Sequence, residues 1–429
     1  MSKLKGLEND TMLFRFSLYG FLKNLRFFEP FLILFFRDAG LSFFQIGVLY
    51  AVRDISTNVF ETPSGILADV FGRRRCMVLS FSGYILSFLI FYAIPSFPSY
   101  ILAMLVFGFG EAFRTGTHKA LILEHLRLNG KADLKVPYYG RTRSASQLGA
   151  ALNSLLAAGL VFLTGNFRYI FLASVVPYVL DLINLATYPR KLDGELDTLQ
   201  WREIPRQMKA TTLGFFSIFK RPQAVRAIMN SSGFDAFFKT TKDYLQPILN
   251  TLALGLPVLA ALEGDQRSAL VIGAVYCGIH LLDSYASREA GTIGGLFRDV
   301  GRAIDVTFYA GAGLLLAAGI TSWGRLPLLS IVVFLGLHVL HNIRKPLNVA
   351  NISDQINKEV MASGLSAESQ LLTLLAAIIA PLLGFLADRL GVGTGLASMG
   401  VLMGLVALLT RVSVAAPTPA PALAEEAAE

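Results

Sequence analysis

Twelve apolar runs, each about long enough to cross a bilayer, constrain this chain more than any other feature. A helix needs about 20 mostly apolar residues to span the hydrocarbon core. Runs of that order lie near 12–36, 43–66, 76–95, 98–124, 144–164 and 168–189, and again near 224–249, 267–287, 301–321, 326–347, 367–387 and 393–412. Short polar punctuation separates them, such as Asp38-Ala39-Gly40, the Gly72–Arg75 cluster and Pro95–Pro98. A water-soluble fold could not hide so many. Of the 429 residues, 54% are hydrophobic and 16% charged, against about 45–50% and 25% in ordinary soluble domains. The same excess excludes a disordered chain. The expected class is an all-α membrane protein with twelve transmembrane helices.

The runs fall into two groups of six. The boundaries predict an N-terminal six-helix bundle over 1–189, a connector over 190–223, a C-terminal six-helix bundle over 224–412 and a disordered Pro/Ala/Glu-rich tail over 413–429. Within the connector, 199–221 mixes Trp201, Met208, Leu213, Phe215 and Phe216 with basic residues, the pattern of a helix lying on the membrane surface.

Charge sets the orientation. Net charge is +8, but the basic residues sit between the apolar runs, which reads as topology and not as nucleic-acid binding. With the N-terminus inside, the inner loops hold about twenty Lys and Arg. The outer loops hold Arg37, Arg168, Arg267, Arg325 and Arg389. Both termini are therefore expected in the cytoplasm. Glu8 and Asp10 precede a first run too long for a cleavable signal peptide, so that span is expected to be retained in the cytoplasmic (inner) membrane.

Several chemistries find no support. Cys76 and Cys277 form no CxxC, which argues against a disulfide framework or thiolate metal site. Gly291-Thr-Ile-Gly-Gly295 lacks the lysine and hydroxyl of a phosphate loop, and no HExxH or GxSxG occurs. No cofactor, no metal and no enzymatic activity are expected.

The stretch Gly65-Ile-Leu-Ala-Asp69-Val-Phe-Gly72-Arg73-Arg74-Arg75 lies between the second and third runs. Gly65 would allow close helix approach, Gly72 a tight turn, and Arg73 would answer the Asp69 carboxylate near a helix C-terminus. Motif, position and the six-plus-six layout resemble the major facilitator superfamily (MFS). The resemblance implies two pseudo-symmetric bundles rocking about a central cavity, and a monomer. It also implies that this loop latches one state, with Glu124 at the end of the fourth span as partner acid. Two departures stand out. Val106 occupies a position where the family's fourth span often has arginine, and Gln147–Asn153 lacks the Gly-Pro pair common in antiporters.

Ionisable residues inside apolar runs cost at least about 2.5–3.5 kcal/mol each on insertion scales, so they point to function. Span one carries Arg26 and Glu29. Span four carries Glu111, Arg114, His118 and Lys119. Span seven carries Asp235, Lys239, Lys242 and Asp243, and span ten His338 and His341. The resemblance places these four spans around the cavity. The spacings Arg26/Glu29, Glu111/Arg114 and Asp235/Lys239 also permit local pairs that only offset their own insertion cost. Adjacent Arg53 and Asp54 should not both face the cavity. The expected binding residues are Arg26, Glu29, Arg114, Lys239 and His338, with Glu111 and Asp235 carrying protons. The expected function is proton-coupled secondary transport of a small polar or charged solute. A multidrug-type proton antiporter and a transport-inactive MFS-like scaffold or sensor are the alternatives.

Overall fold

The computed structural model describes residues 10–131, 134–193, 222–294, 300–355 and 361–412. The expected surface helix at 199–221 and the tail lie outside them. Every element among the described residues is helical, as the apolar runs require: in lipid a backbone must satisfy its own hydrogen bonds.

The first half comprises α1 (Thr11–Lys23), α2 (Leu32–Asp38), α3 (Phe43–Phe71), α4 (Arg73–Ala93), α5 (Phe97–Arg114), α6 (Thr117–Leu128), α7 (Lys135–Thr164) and α8 (Tyr169–Ala186). The second comprises α9 (Pro222–Thr241), α10 (Leu245–Gly255), α11 (Gly264–Gly294), α12 (Val300–Trp323), α13 (Pro327–Gln355), α14 (Met361–Leu390) and α15 (Val392–Leu409). Eight helices among the described residues are long and apolar enough to cross a membrane: α4, α7, α8 and α11 to α15. The other four expected spans fall on α1/α2, α3, α5/α6 and α9/α10.

The first, fourth and seventh spans are broken in mid-course, at 24–31, at Thr115-Gly116 and at the 3-10 turn Lys242–Tyr244. α3 is continuous but carries Arg53, Asp54, Glu61 and Asp69. The breaks occur where the charged residues cluster. An interrupted helix is tolerated at membrane depth only where it lines a cavity or is packed in protein.

Within the first half, α4 packs on α5 and α8, and α1 on α7 and α8. Within the second, α12 packs on α13 and α15, and α9 on α14. Two long contacts, α3 with α14 and α7 with α11, join the halves. The molecule has a terminal face, holding Asp10, Gly72, Leu128 and Asp193, and an opposite far face.

The halves seal together at the far face. A Cβ on Gly47 would collide with the Ala380 carbonyl, and one on Gly384 with the Phe43 backbone. The side chain of Asp388 completes the seal. It accepts the backbone N–H groups of Phe43 (2.9 Å) and Phe44 (2.8 Å), capping α3 from the other half.

Two features fix the terminal face. Gly72 turns the chain between α3 and α4 at φ +96°, a conformation open to glycine. The Asp193 carboxylate packs against it and accepts the Arg74 N–H at 2.8 Å. Asp10 caps α1 through the Met12 and Leu13 N–H groups and lies 3.3 Å from both His125 Nε2 and Lys131 Nζ.

Candidate functional site

A cavity of about 390 Å³ lies between the halves, within the size range of small-molecule sites. Helix breaks in the first, fourth and seventh spans border it, together with α3 and α14. It extends toward the terminal face past Glu61 and Ser369.

Three charge groups organise it. In the first, Glu111 sits between two guanidinium groups: Arg114 donates to its Oε1, and Arg26 Nη2 approaches Oε2 at 3.3 Å. Tyr84 Oη donates to the same Oε2 at 2.5 Å, and Arg26 Nε donates to Tyr178 Oη at 3.0 Å. In the second group, Asp54 is shared by Arg53 Nε (2.9 Å to Oδ1) and Lys239 Nζ (2.9 Å to Oδ2). In the third, Lys242 Nζ lies 2.6 Å from Asp243 Oδ1 and 4.0 Å from Glu29 Oε1. Tyr50 Oη donates to Asp243 Oδ2 at 3.4 Å.

The second and third groups bridge the halves. Gln246 adds a neutral link, accepting the Ile33 N–H at 2.8 Å and donating to the Glu29 carbonyl at 3.0 Å.

A second cavity of about 210 Å³ adjoins the first, sharing Glu29 and Lys242, and is lined by His280, Asp283, His338 and His341. His338 Nδ1 lies 3.5 Å from Asp283 Oδ2, and His341 Nε2 lies 3.5 Å from Asp235 Oδ1. The His341 ring stacks on Phe238 at 3.9 Å.

The residues expected from sequence divide accordingly. Arg26, Glu29, Glu111 and Lys239 line the main cavity. Arg114 stands behind Glu111, and His338 lines the second cavity. Asp235 faces His341. Of the three local pairs, Glu111/Arg114 forms. The backbone break after Asn24 separates Arg26 from Glu29, so each finds a partner on another span, and Lys239 reaches across to Asp54. His118 is not a cavity residue: its ring stacks on Tyr19 at 3.6 Å, buried inside the first half.

Two expectations are corrected. Arg53 and Asp54, although adjacent, pair with each other and both line the cavity, because the long arginine side chain folds back along the helix. Gly65 makes no close helix contact: a Cβ there would meet nothing within 4 Å. Glu124 is held by Arg127, through Nε at 3.0 Å and Nη2 at 2.6 Å.

Sequence reasoning missed Tyr84, Tyr178 and Gln246, whose polar ends look like ordinary span residues. It also passed over Asp181 and Asp305, single acids in apolar runs that are buried. Asp305 Oδ1 accepts the Val412 N–H at 3.0 Å. It lies in the packing around Arg344, a fully buried cation between the rings of Phe234 (4.5 Å) and Phe308 (4.8 Å). Arg344 Nη1 donates to the Ile304 carbonyl and to Thr307 Oγ1 (2.9 Å), and Nη2 to Asn230 Oδ1.

A family model described as Major Facilitator Superfamily matches residues 15–369. An uncharacterized MFS-type transporter, YxaM of Bacillus subtilis (strain 168), is 34% identical over 90 residues. That match spans 21% of this chain and 23% of the relative. Among solved structures, the nucleoside transporter NupG superposes with TM-score 0.73 at 11% identity, covering 93% of this chain and 98% of that one. A POT family transporter in complex with 5-aminolevulinic acid gives 0.71 at 13% identity, covering 92% and 94%. A D-xylose-proton symporter gives 0.68 at 14% identity, covering 93% and 96%. At these identities the structural likeness speaks for the fold alone.

Proposed function

The chain belongs to the major facilitator superfamily, a membrane transporter family, and from that premise we propose that it moves a small polar or charged solute across the cytoplasmic membrane by alternating access. One observation carries the reading: a charged cavity lies between two helix sets that are sealed at the far face, and it extends toward the terminal face past Glu61 and Ser369. The excess of Lys and Arg in terminal-face loops supports that face as cytoplasmic. The state described is then inward-open. Rocking of the halves would part Gly47 from Ala380 and close the terminal face. In the closed state the loop Gly65–Arg73, with Asp69 and Glu124, acts as the latch.

Protons supply the driving force in this proposal. Glu111 and Asp235 each face a cation or a histidine, so a change of partner during rocking would let either bind and release a proton. The charge of the cavity favours a polar solute over the greasy cargo of a multidrug exporter.

The test uses a variant with Cys76 and Cys277 replaced by serine and Thr57→Cys introduced on the cavity wall. Membrane-impermeant thiol reagents should label it from the cytoplasmic side. Labelling from the other side should rise when Gly47→Val props the far face apart. No labelling from either side would overturn the proposal.

A further inference from the structure

The charges lining the cavity do not cancel where they stand. We propose that the transported solute is dipolar, with its anionic group taken by Lys239 and Arg53 and its cationic group by Glu29. This rests on the transport reading above and names the class of solute.

Four cations and five carboxylates line the main cavity among the described residues, and Arg114 behind Glu111 adds a fifth cation. The total is balanced, but its distribution is not: Glu111 between Arg26 and Arg114 leaves one positive surplus inside the first half, matched in the total by Glu61, and two further surpluses sit where the halves meet. Around Asp54, two cations share one carboxylate, whose two oxygens are both engaged at 2.9 Å. That group has a surplus positive charge. Around Lys242, two carboxylates share one ammonium group, and the nearer is Asp243 at 2.6 Å. Glu29 is left at 4.0 Å with its side chain 48% exposed. That group has a surplus negative charge.

A solute with one charge would answer one of these two surpluses and leave the other unmet. A neutral solute would answer neither. A solute with separated opposite charges answers both, and its charged groups form the strong class of hydrogen bonds.

The placement also couples binding to motion. Asp54 and Glu29 belong to the first half, and Lys239 and Lys242 to the second. An anionic group arriving at Lys239 competes with Asp54, and a cationic group at Glu29 competes with Lys242. The solute thus loosens both ion pairs that tie the halves together at mid-depth, at the moment the cavity becomes occupied.

The probes are a ladder of amino acids with rising charge separation: glycine, β-alanine, γ-aminobutyrate and ε-aminocaproate. Each is compared with its N-acetyl derivative and its methyl ester. Binding to the purified full chain is read by calorimetry. At least one chain length should bind, and capping either end should weaken it about tenfold or more. In Lys239→Met the methyl ester should bind as well as the free acid. In Glu29→Gln the N-acetyl form should bind as well as the free amine. Equal binding of capped and free forms by the unaltered protein would overturn the proposal, and so would silence across the whole ladder. The Thr57→Cys labelling separates the two claims: if it still switches sides while the ladder fails, the charge assignment falls and transport stands.

Discussion

Asp54 Oδ2 lies 2.9 Å from Lys239 Nζ, and the two residues come from opposite halves of the chain. Asp54 is nearly inaccessible, with 5% of its side chain exposed. The pair therefore ties the halves where water screens little. Asp54→Asn and Lys239→Met should each lower the thermal midpoint of the solute-free protein. The double variant should lose less than the sum, with a coupling of about 0.5–3 kcal/mol. A double-mutant cycle by thermal denaturation measures it, and strict additivity would show that the pair does not act as one.

The far-face seal depends on the absence of side chains at Gly47 and Gly384. Valine at either position would have to displace backbone of the opposing half, which cannot move alone. Gly47→Val should hold the far face open and stop turnover while leaving the fold intact. Thiol labelling from both sides of oriented vesicles, with circular dichroism as the folding control, checks this.

Asp388 should act in the same direction more gently. Its carboxylate caps α3 across the interface through two backbone N–H groups. Asp388→Ala should remove about 0.5–2 kcal/mol from the far-face-closed state. A several-fold gain in far-side labelling of Thr57→Cys is the expected result. Asp388→Asn, which can still accept one bond, should fall between.

Arg344 is a scaffold cation of the second half, clamped by backbone and side-chain oxygens and two aromatic faces. Lysine keeps the charge but cannot reproduce the planar fork. Arg344→Lys should cost about 1–3 kcal/mol for the acceptors left unmet. Thermal denaturation reads the loss, and the dipolar-ligand affinity of the surviving folded fraction should be little changed.

The Asp10 clamp predicts a pH dependence. Burial pushes its carboxyl up, but His125, the Leu13 N–H and Lys131 outweigh burial and hold it below the ordinary value of 3.8. A depressed folded value means stability that is present above the unfolded value and lost as pH falls through the folded one. The start of α1 should therefore stay docked on α6 above about pH 4 and loosen below it. Asp10→Asn should remove that acid step from a hydrogen-exchange profile of 11–23.

Element positions were legible because the bilayer imposes a length on every apolar run. The breaks in the first, fourth and seventh spans were not foreseen, although the charged residues that lie at them were singled out. Partnership was not legible either. Arg26 and Glu29 look like neighbours on one helical face, and only the break after Asn24 turns them toward different spans. Lys239 has Asp235 one turn away in sequence yet pairs with a residue 185 positions distant, because the two side chains meet at the cavity between the halves. Tyr84 and Tyr178 gave no signal, since a tyrosine in an apolar run is as often packing as ligand. Asp181 and Asp305 gave a clear one: a lone acid in a span needs an explanation. Gly65 misled because helix approach depends on which way the halves are tilted.

The Asp193 carboxylate, seated on the Gly72 turn, fixes the place where the first half lets go of the chain. The α3–α14 and α7–α11 seams join the two halves side chain to side chain, without the covalent connection between them. A gene cut between 194 and 221 should then yield two polypeptides that find each other in the bilayer and rebuild the whole.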